Sequence, residues 1–230
     1  MAGSHAIEVV VFDVLGTLVD EPGGLRTAIR RAVPAADDAS VGELLAVWQQ
    51  HVEREQRCIT QGHRAYANTQ IIDAEAAQRV ADEAGITDRA TIAALSTAGQ
   101  RLPAWADSVA GLERLGQHLP VVGLSNAGHA ALLRLNAGAG LRWHQALSAE
   151  SARTYKPAPE VYQLAIDAAG CPPERILMVA AHAWDLRGAQ AKGLRTAYVQ
   201  RPVGDPPTRS DAFDWRVDGL DELVTALTAR

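Results

Sequence analysis

The chain has 230 residues, 47% of them hydrophobic and 21% charged, with a formal net charge of −5. That is long enough for one large domain or a core with an insertion, and apolar enough to bury a sizeable core. The net acidity argues against nucleic acid or an anionic membrane surface as the main partner, and no apolar run reaches the length that spans a bilayer.

Met1-Ala2-Gly3-Ser4-His5 lacks the basic and long apolar regions of a signal peptide. A first strand is expected over residues 7–12, where the apolar run Val9-Val10-Val11-Phe12 stops at a carboxylate, Asp13. Such a run reads as a strand buried on both faces of a parallel sheet. Ligands of open α/β sheets sit beyond the carboxyl ends of the strands, where Asp13 falls. Gly16 permits a tight turn there and Thr17 supplies a hydroxyl. Taken alone, Asp13 reads equally well as a helix cap.

Helical spacing follows over residues 25–33, with Leu25, Ile29, Ala32 and Val33 on one face and Pro34 closing the segment. A longer amphipathic helix is expected over 41–57. In it Leu44, Leu45, Val47, Trp48 and Val52 face inward, and Glu53, Arg54, Glu55 and Arg57 form a solvated face. Residues 69–84 and 88–99 read as Ala-rich helices broken near Gly85. No strand signal appears between about residues 20 and 100. That block, residues 20–99, is expected to be a helical cap inserted into a core made of residues 1–19 and 100–230. Trp48 and Tyr66 read as cap core or interface. Cys58 and Cys171 have no metal-like spacing and read as reduced thiols of a cytoplasmic protein.

Pro103 reads as a linker. A helix is expected over 108–117, with Val109, Leu112 and Leu115 on one side, then a strand over 119–124 that ends in Ser125-Asn126. A helix over 128–139 and a short strand over 145–148 precede Tyr155-Lys156-Pro157, which opens a helix through residue 169. The strand at 175–181 ends in His182-Ala183-Trp184-Asp185, and the helix after it closes at Gly193. Strands over 194–199 and 214–217 and a helix over 220–229 complete the chain, with a surface loop from Pro202 to Ser210. Strands and helices that alternate in this way indicate an α/β fold, a doubly wound parallel sheet with right-handed crossovers.

Three strands thus end in polar groups: Asp13 with Thr17, Ser125 with Asn126, and His182 with Asp185. In a parallel sheet they collect at one edge, together with Lys156. This set resembles the haloacid dehalogenase superfamily of aspartate-nucleophile hydrolases. Asp13 and Thr17 match its D-x-x-x-T motif, Ser125 its Ser/Thr motif, Lys156 its lysine and Asp185 its acidic region. Phosphatases of that superfamily carry a second Asp two residues after the nucleophile, where this chain has Leu15. Their acidic pair near Mg2+ is reduced here to Asp185, behind Val179-Ala180-Ala181. A Mg2+ site wants several hard oxygen ligands, so the sequence favours neither a metal nor any other cofactor.

The remaining pattern is similar to the type II L-2-haloacid dehalogenases. That resemblance implies hydrolysis of a short 2-haloacid through an ester on Asp13, with a small carboxylate as substrate. It implies that Lys156 and Thr17 hold Asp13, that Asp185 assists water, and that Ser125 and Asn126 bind the substrate carboxylate. Leu15 would form a dry wall. Two departures stand out. The halide-binding Arg of those enzymes is replaced by Gln49, with Arg54, Arg57 or Arg64 as substitutes, and their Ser-Ser-Asn by Ala180-Ala181-His182. His182 then reads either as a water-positioning base or as a histidine that starts a helix. Another small carboxylic acid with a non-halide leaving group, a Mg2+-dependent phosphatase and a non-catalytic binding protein are the alternatives. Pairing of subunits through the cap is implied by the resemblance.

Overall fold

The computed structural model describes residues 6–229, so the reading of residues 1–5 lies outside it. Six strands form one parallel sheet in the order β3-β2-β1-β4-β5-β6. They are β1 (Val9–Phe12), β2 (Val121–Ser125), β3 (Gln145–Ser148), β4 (Ile176–Ala180), β5 (Arg195–Val199) and β6 (Trp215–Val217). β1 sits in the middle, with Val11 level with Val122 on one side and Met178 on the other. The strand order reverses between β1 and β4, and such a switch point opens a crevice at the carboxyl edge.

The unbroken apolar run of β1 is explained by its two neighbours in space. Val10 and Phe12 pack with Leu112, Leu115, Leu135 and Leu223. These come from α5 (Ser108–Gly116), α6 (His129–Ala139) and α9 (Leu220–Thr228). Val9 and Val11 pack with Val161, Tyr162, Leu186 and Ala189 of α7 (Pro159–Ala169) and α8 (Ala183–Ala191). Alternate side chains of a strand point to opposite faces, so a strand covered by helices on both faces is apolar at every position.

Four helices lie between β1 and α5: α1 (Glu21–Ala32), α2 (Asp38–Thr60), α3 (Thr69–Ala84) and α4 (Arg89–Ser96). They form the helical cap. Each begins at an Asp or Asn whose carboxyl or amide oxygen accepts a backbone N–H of the first turn: Asp20, Asp37, Asn68 and Asp88. That supplies orphan helix donors with partners. It also places the start of α1 four residues before the expected one, because Asp20 caps Gly23 N–H and Pro22 fits the first turn. The helix expected over 88–99 stops at Ser96 and gives way to a 3-10 turn at Ala98–Gln100.

Two expected faces need correction. Glu55 is buried, because Arg54 and Arg64 both reach its carboxylate. A carboxylate with two guanidinium partners tolerates burial that a lone one would not. Val109, placed on the inner face of α5, is exposed at 39%, while Leu112 and Leu115 carry the contact with the sheet. Core and cap are tied by Tyr155 Oη donating to Ala67 O at 2.6 Å and Gly128 N–H donating to Thr69 Oγ1 at 2.8 Å. Asn68 Nδ2 also donates to Glu150 Oε1 at 3.2 Å.

Candidate active site

β1 stops where its last rung forms: Asp13 N–H donates to Val179 O at 2.9 Å. The chain then reverses. Gly16 takes φ +78°, and Leu18 N–H and Val19 N–H both reach back to Val14 O. The left-handed conformation favours glycine, and a Cβ at Gly16 would also lie 2.6 Å from His182 Cε1. The turn aims Thr17 at the carboxylate it follows. Thr17 Oγ1 donates to Asp13 Oδ2 at 2.6 Å and accepts from Ala181 N–H at 2.9 Å, linking the ends of β1 and β4.

Lys156 arrives from the loop before α7. Its N–H donates to Asn126 Oδ1 at 2.9 Å, which ties that loop to the end of β2. Its ammonium lies between two carboxylates, 2.9 Å from Asp13 Oδ1 and 2.8 Å from Asp185 Oδ2. Asp185, in the first turn of α8, is fully buried and accepts from Tyr162 Oη at 2.7 Å. A Cβ at Gly188 would overlap that hydroxyl, so Gly188 makes room for Tyr162. His182 Nδ1 stands 3.2 Å from Asp13 Oδ2, which makes it a partner of Asp13 as well as the residue that starts α8.

Burial alone would push Asp13 up, but Lys156, then His182 and Thr17, hold its carboxyl well below the usual carboxylate range. Burial likewise opposes the charge on Lys156, and Asp13 with Asp185 outweighs it, so the ammonium is held charged. Asp185 is pushed up, chiefly by burial and then by Asp13, against the pull of Lys156. For His182, burial opposes the charged ring, and the hydrogen bond to Asp13 raises it overall. One ammonium therefore serves two carboxylates of unequal character: Asp13 ionised, Asp185 the more basic.

A cavity of about 390 Å3 opens over Asp13. On the core side it is bounded by Asp13, Leu15, Asn126, Lys156, His182 and Trp184. The cap side is formed by Glu21 and Leu25 of α1 and by Trp48, Gln49, Val52, Glu53 and Gln56 of α2. Of the site residues expected from sequence, Asp13, Leu15, Gln49, Asn126, Lys156 and His182 line this cavity, with Thr17 and Asp185 directly behind. Ser125 is fully buried and outside the cavity wall, its Oγ accepting from Ala127 N–H at 3.1 Å. Asn126 Nδ2 donates to Gln56 Oε1 at 3.2 Å, so its side chain joins core to cap. None of Arg54, Arg57 and Arg64 lines the cavity: Arg54 is paired with Glu55, Arg57 with Glu53, and Arg64 with Glu55 and Glu75. Glu21 and Gln56 escaped the sequence reading and Glu53 was placed on a solvated face, because their only local signal is a polar side chain on a helix.

The donor set does not fit a divalent ion. The two carboxylates that would hold one already share Lys156, Ala180 and Ala181 bring no side-chain oxygen, and among the described residues no group of three or more His, Cys, Asp or Glu is placed as a metal site.

A family model described as haloacid dehalogenase-like hydrolase matches residues 7–193. The chain is 28% identical to (S)-2-haloacid dehalogenase H-109 of Pseudomonas putida, over 92% of this chain and 99% of that one. The crystal structure of a defluorinating L-2-haloacid dehalogenase superposes with a TM-score of 0.87 at 28% identity, covering 97% of this chain and 96% of that one. The L-2-haloacid dehalogenase of Xanthobacter autotrophicus with chloropropionic acid covalently bound superposes with a TM-score of 0.80 at 25% identity, covering 97% and 100%.

Proposed function

The chain belongs to the haloacid dehalogenase-like hydrolases, and from that membership we propose that it removes halide from short 2-haloacids by hydrolysis, through an ester on Asp13 and without a metal. The observation that carries the proposal is one buried ammonium, Lys156, bonded to both Asp13 and Asp185 beneath a cavity of small-molecule size. The likeness to (S)-2-haloacid dehalogenases along nearly the whole chain supports it. So does the covalent chloropropionic acid in a structural relative.

In this reading Asp13, ionised and aimed by Lys156 and Thr17, attacks C2 from the side opposite the halogen. A C–O bond forms, the C–X bond breaks with its electron pair, and C2 inverts. Water then attacks the carbonyl carbon of the Asp13 ester as Asp185 takes a proton from it; the acyl C–O bond breaks, and the departing alkoxide oxygen takes that proton to leave as the 2-hydroxy acid. The released 2-hydroxy acid keeps the original C–O bond, and Asp13 regains an oxygen from water. The more basic character of Asp185 suits it to this second step and the ionised state of Asp13 to the first. Asn126, with the Ser125-Asn126 backbone, is assigned to the substrate carboxylate. Leu15 keeps solvent from the nucleophile.

Halide release from 2-chloro-, 2-bromo- and 2-fluoropropionate tests the proposal. Asp13→Asn is expected to lower it by at least about a thousandfold. One turnover in 18O-water is expected to leave label in the Asp13 carboxylate, and chelator to change nothing. Magnesium-dependent release of phosphate from a generic ester, with no halide release, would reject it.

A further inference from the structure

The cap wall of this cavity carries a carboxyl group that the chemistry above does not use. Glu21 opens α1, immediately after the turn that holds Thr17. It lines the Asp13 cavity, as Gln49 does, and also a small recess shared with Thr69 and Asp73 of α3. No hydrogen bond to a described residue holds the charged form of either Glu21 or Asp73. The charged groups around Glu21 are Asp13, Lys156 and His182 from the core loops, Glu53 from α2 and Asp73 from α3.

These surroundings set its protonation. Burial pushes Glu21 up to about 7, with Asp13 adding to the rise and His182 opposing it. Burial and then Glu21 push Asp73 up to about 8. Two carboxyls facing one recess resist ionising together. An ionised Glu21 would set a second negative charge across the cavity from Asp13, repelling both an anionic substrate and a departing anion. With its proton, Glu21 instead offers an O–H donor on the wall where Gln49 brings no charge.

We propose that Glu21, as a neutral carboxylic acid, is the hydrogen-bond donor that receives the departing halide, and that its contribution is greatest for fluoride, the halide that accepts hydrogen bonds most strongly. The proposal rests on the dehalogenase reading. As the Asp13 oxygen bonds to C2, the C–F bond breaks and its electron pair leaves as fluoride. Glu21 keeps its proton and shares it as O–H···F−, so no proton changes owner in this step.

The test compares wild type, Glu21→Gln and Glu21→Leu on 2-fluoro- and 2-chloropropionate between pH 5.5 and 9, with a thermal melt to confirm folding. Wild-type kcat/KM for the fluoro acid is expected to fall above about pH 7, as Glu21 loses its proton. Glu21→Gln, an always-neutral but weaker donor, is expected to be about tenfold slower at pH 6 and to lose that alkaline fall. Glu21→Leu is expected to lose about ten- to a hundredfold on the fluoro acid and less on the chloro acid. If Glu21→Leu does not fold, the profile of Glu21→Gln decides. Variants that match wild type in rate and in alkaline limb overturn the role of Glu21 and leave the dehalogenase reading standing. A wild type that releases no halide from either acid overturns both.

Discussion

Lys156 is the residue on which the charges of the site depend. Its ammonium is almost wholly buried and bonded to two carboxylates that water does not reach well. Removing one partner from a buried ion pair costs about 3–5 kcal/mol, because the other charge is left uncompensated. Lys156→Met is therefore expected to lower stability by about that much, read by denaturant unfolding. The sign of its pH effect follows from Asp13. In the wild type Lys156 holds the Asp13 carboxyl below its ordinary range, so the proposed nucleophile is ionised throughout mildly acid and neutral pH. Without the ammonium, burial and Asp185 push Asp13 upward, and whatever activity remains in Lys156→Met should show an acid limb at higher pH than wild type. An unmoved acid limb would show that Lys156 does not set the charge of Asp13. Thr17 and Asp185 were legible in the sequence for the same reason as Asp13 and Lys156: each follows the end of an apolar strand or lies in a loop that such ends must meet. Ser125 was legible as a strand end too, yet its hydroxyl serves the turn into α6.

At the scale of elements, two pieces position the chemistry. α2 is about 35 Å long at 1.5 Å per residue, and it presents Trp48, Val52 and Gln56, one helical turn apart, to the cavity. The second piece is the turn from Val14 to Val19, which carries Thr17. Its carbonyls are clamped from outside the site: Arg201 Nε donates to Thr17 O at 2.9 Å and Trp105 Nε1 to Gly16 O at 3.0 Å. Arg201 also bonds Asp107 at 3.0 Å, which accepts Leu220 N–H at 2.8 Å, so the clamp reaches α9. Arg201→Leu leaves Asp107 without its cation and the Thr17 carbonyl without a donor. The expected result is a loss of about 2–4 kcal/mol in unfolding free energy and, on the proposed function, a fall in kcat that exceeds any change in KM, because Thr17 touches Asp13 and does not line the cavity. Steady-state halide release with a denaturant melt checks both. This clamp was not legible, since Arg201 and Trp105 lie 96 residues apart in sequence and neither carries a local motif.

For the whole molecule, the seam between cap and core holds carboxyls that folding forces toward neutrality. Asp73, half-buried on α3, is raised to about 8 by burial and then by Glu21. A carboxyl with a raised folded pKa contributes stability that is fully present below its ordinary value near 4 and lost as pH climbs through the folded value. Stability from this group thus declines between about pH 4 and 8, and Asp73→Asn removes the decline. The melting temperature of Asp73→Asn relative to wild type is expected to rise from pH 5.5 to about 8 and to level off above it. A constant offset across that range would sink the assignment.

The sequence by itself determined the strands, the helical block after the first strand, and the group of polar residues at strand ends, because a buried parallel strand and an amphipathic helix impose apolar periods that can be read locally. Only the tertiary structure decided that Glu55 is buried, that Arg64 is committed to Glu55 and Glu75, and that Glu21 and Asp73 face one recess at the site. Such facts depend on how helices seat against one another across tens of residues. A charged side chain on a helix carries the same local pattern whether it meets water, a guanidinium or a second carboxyl, and its protonation is fixed by that distant neighbour.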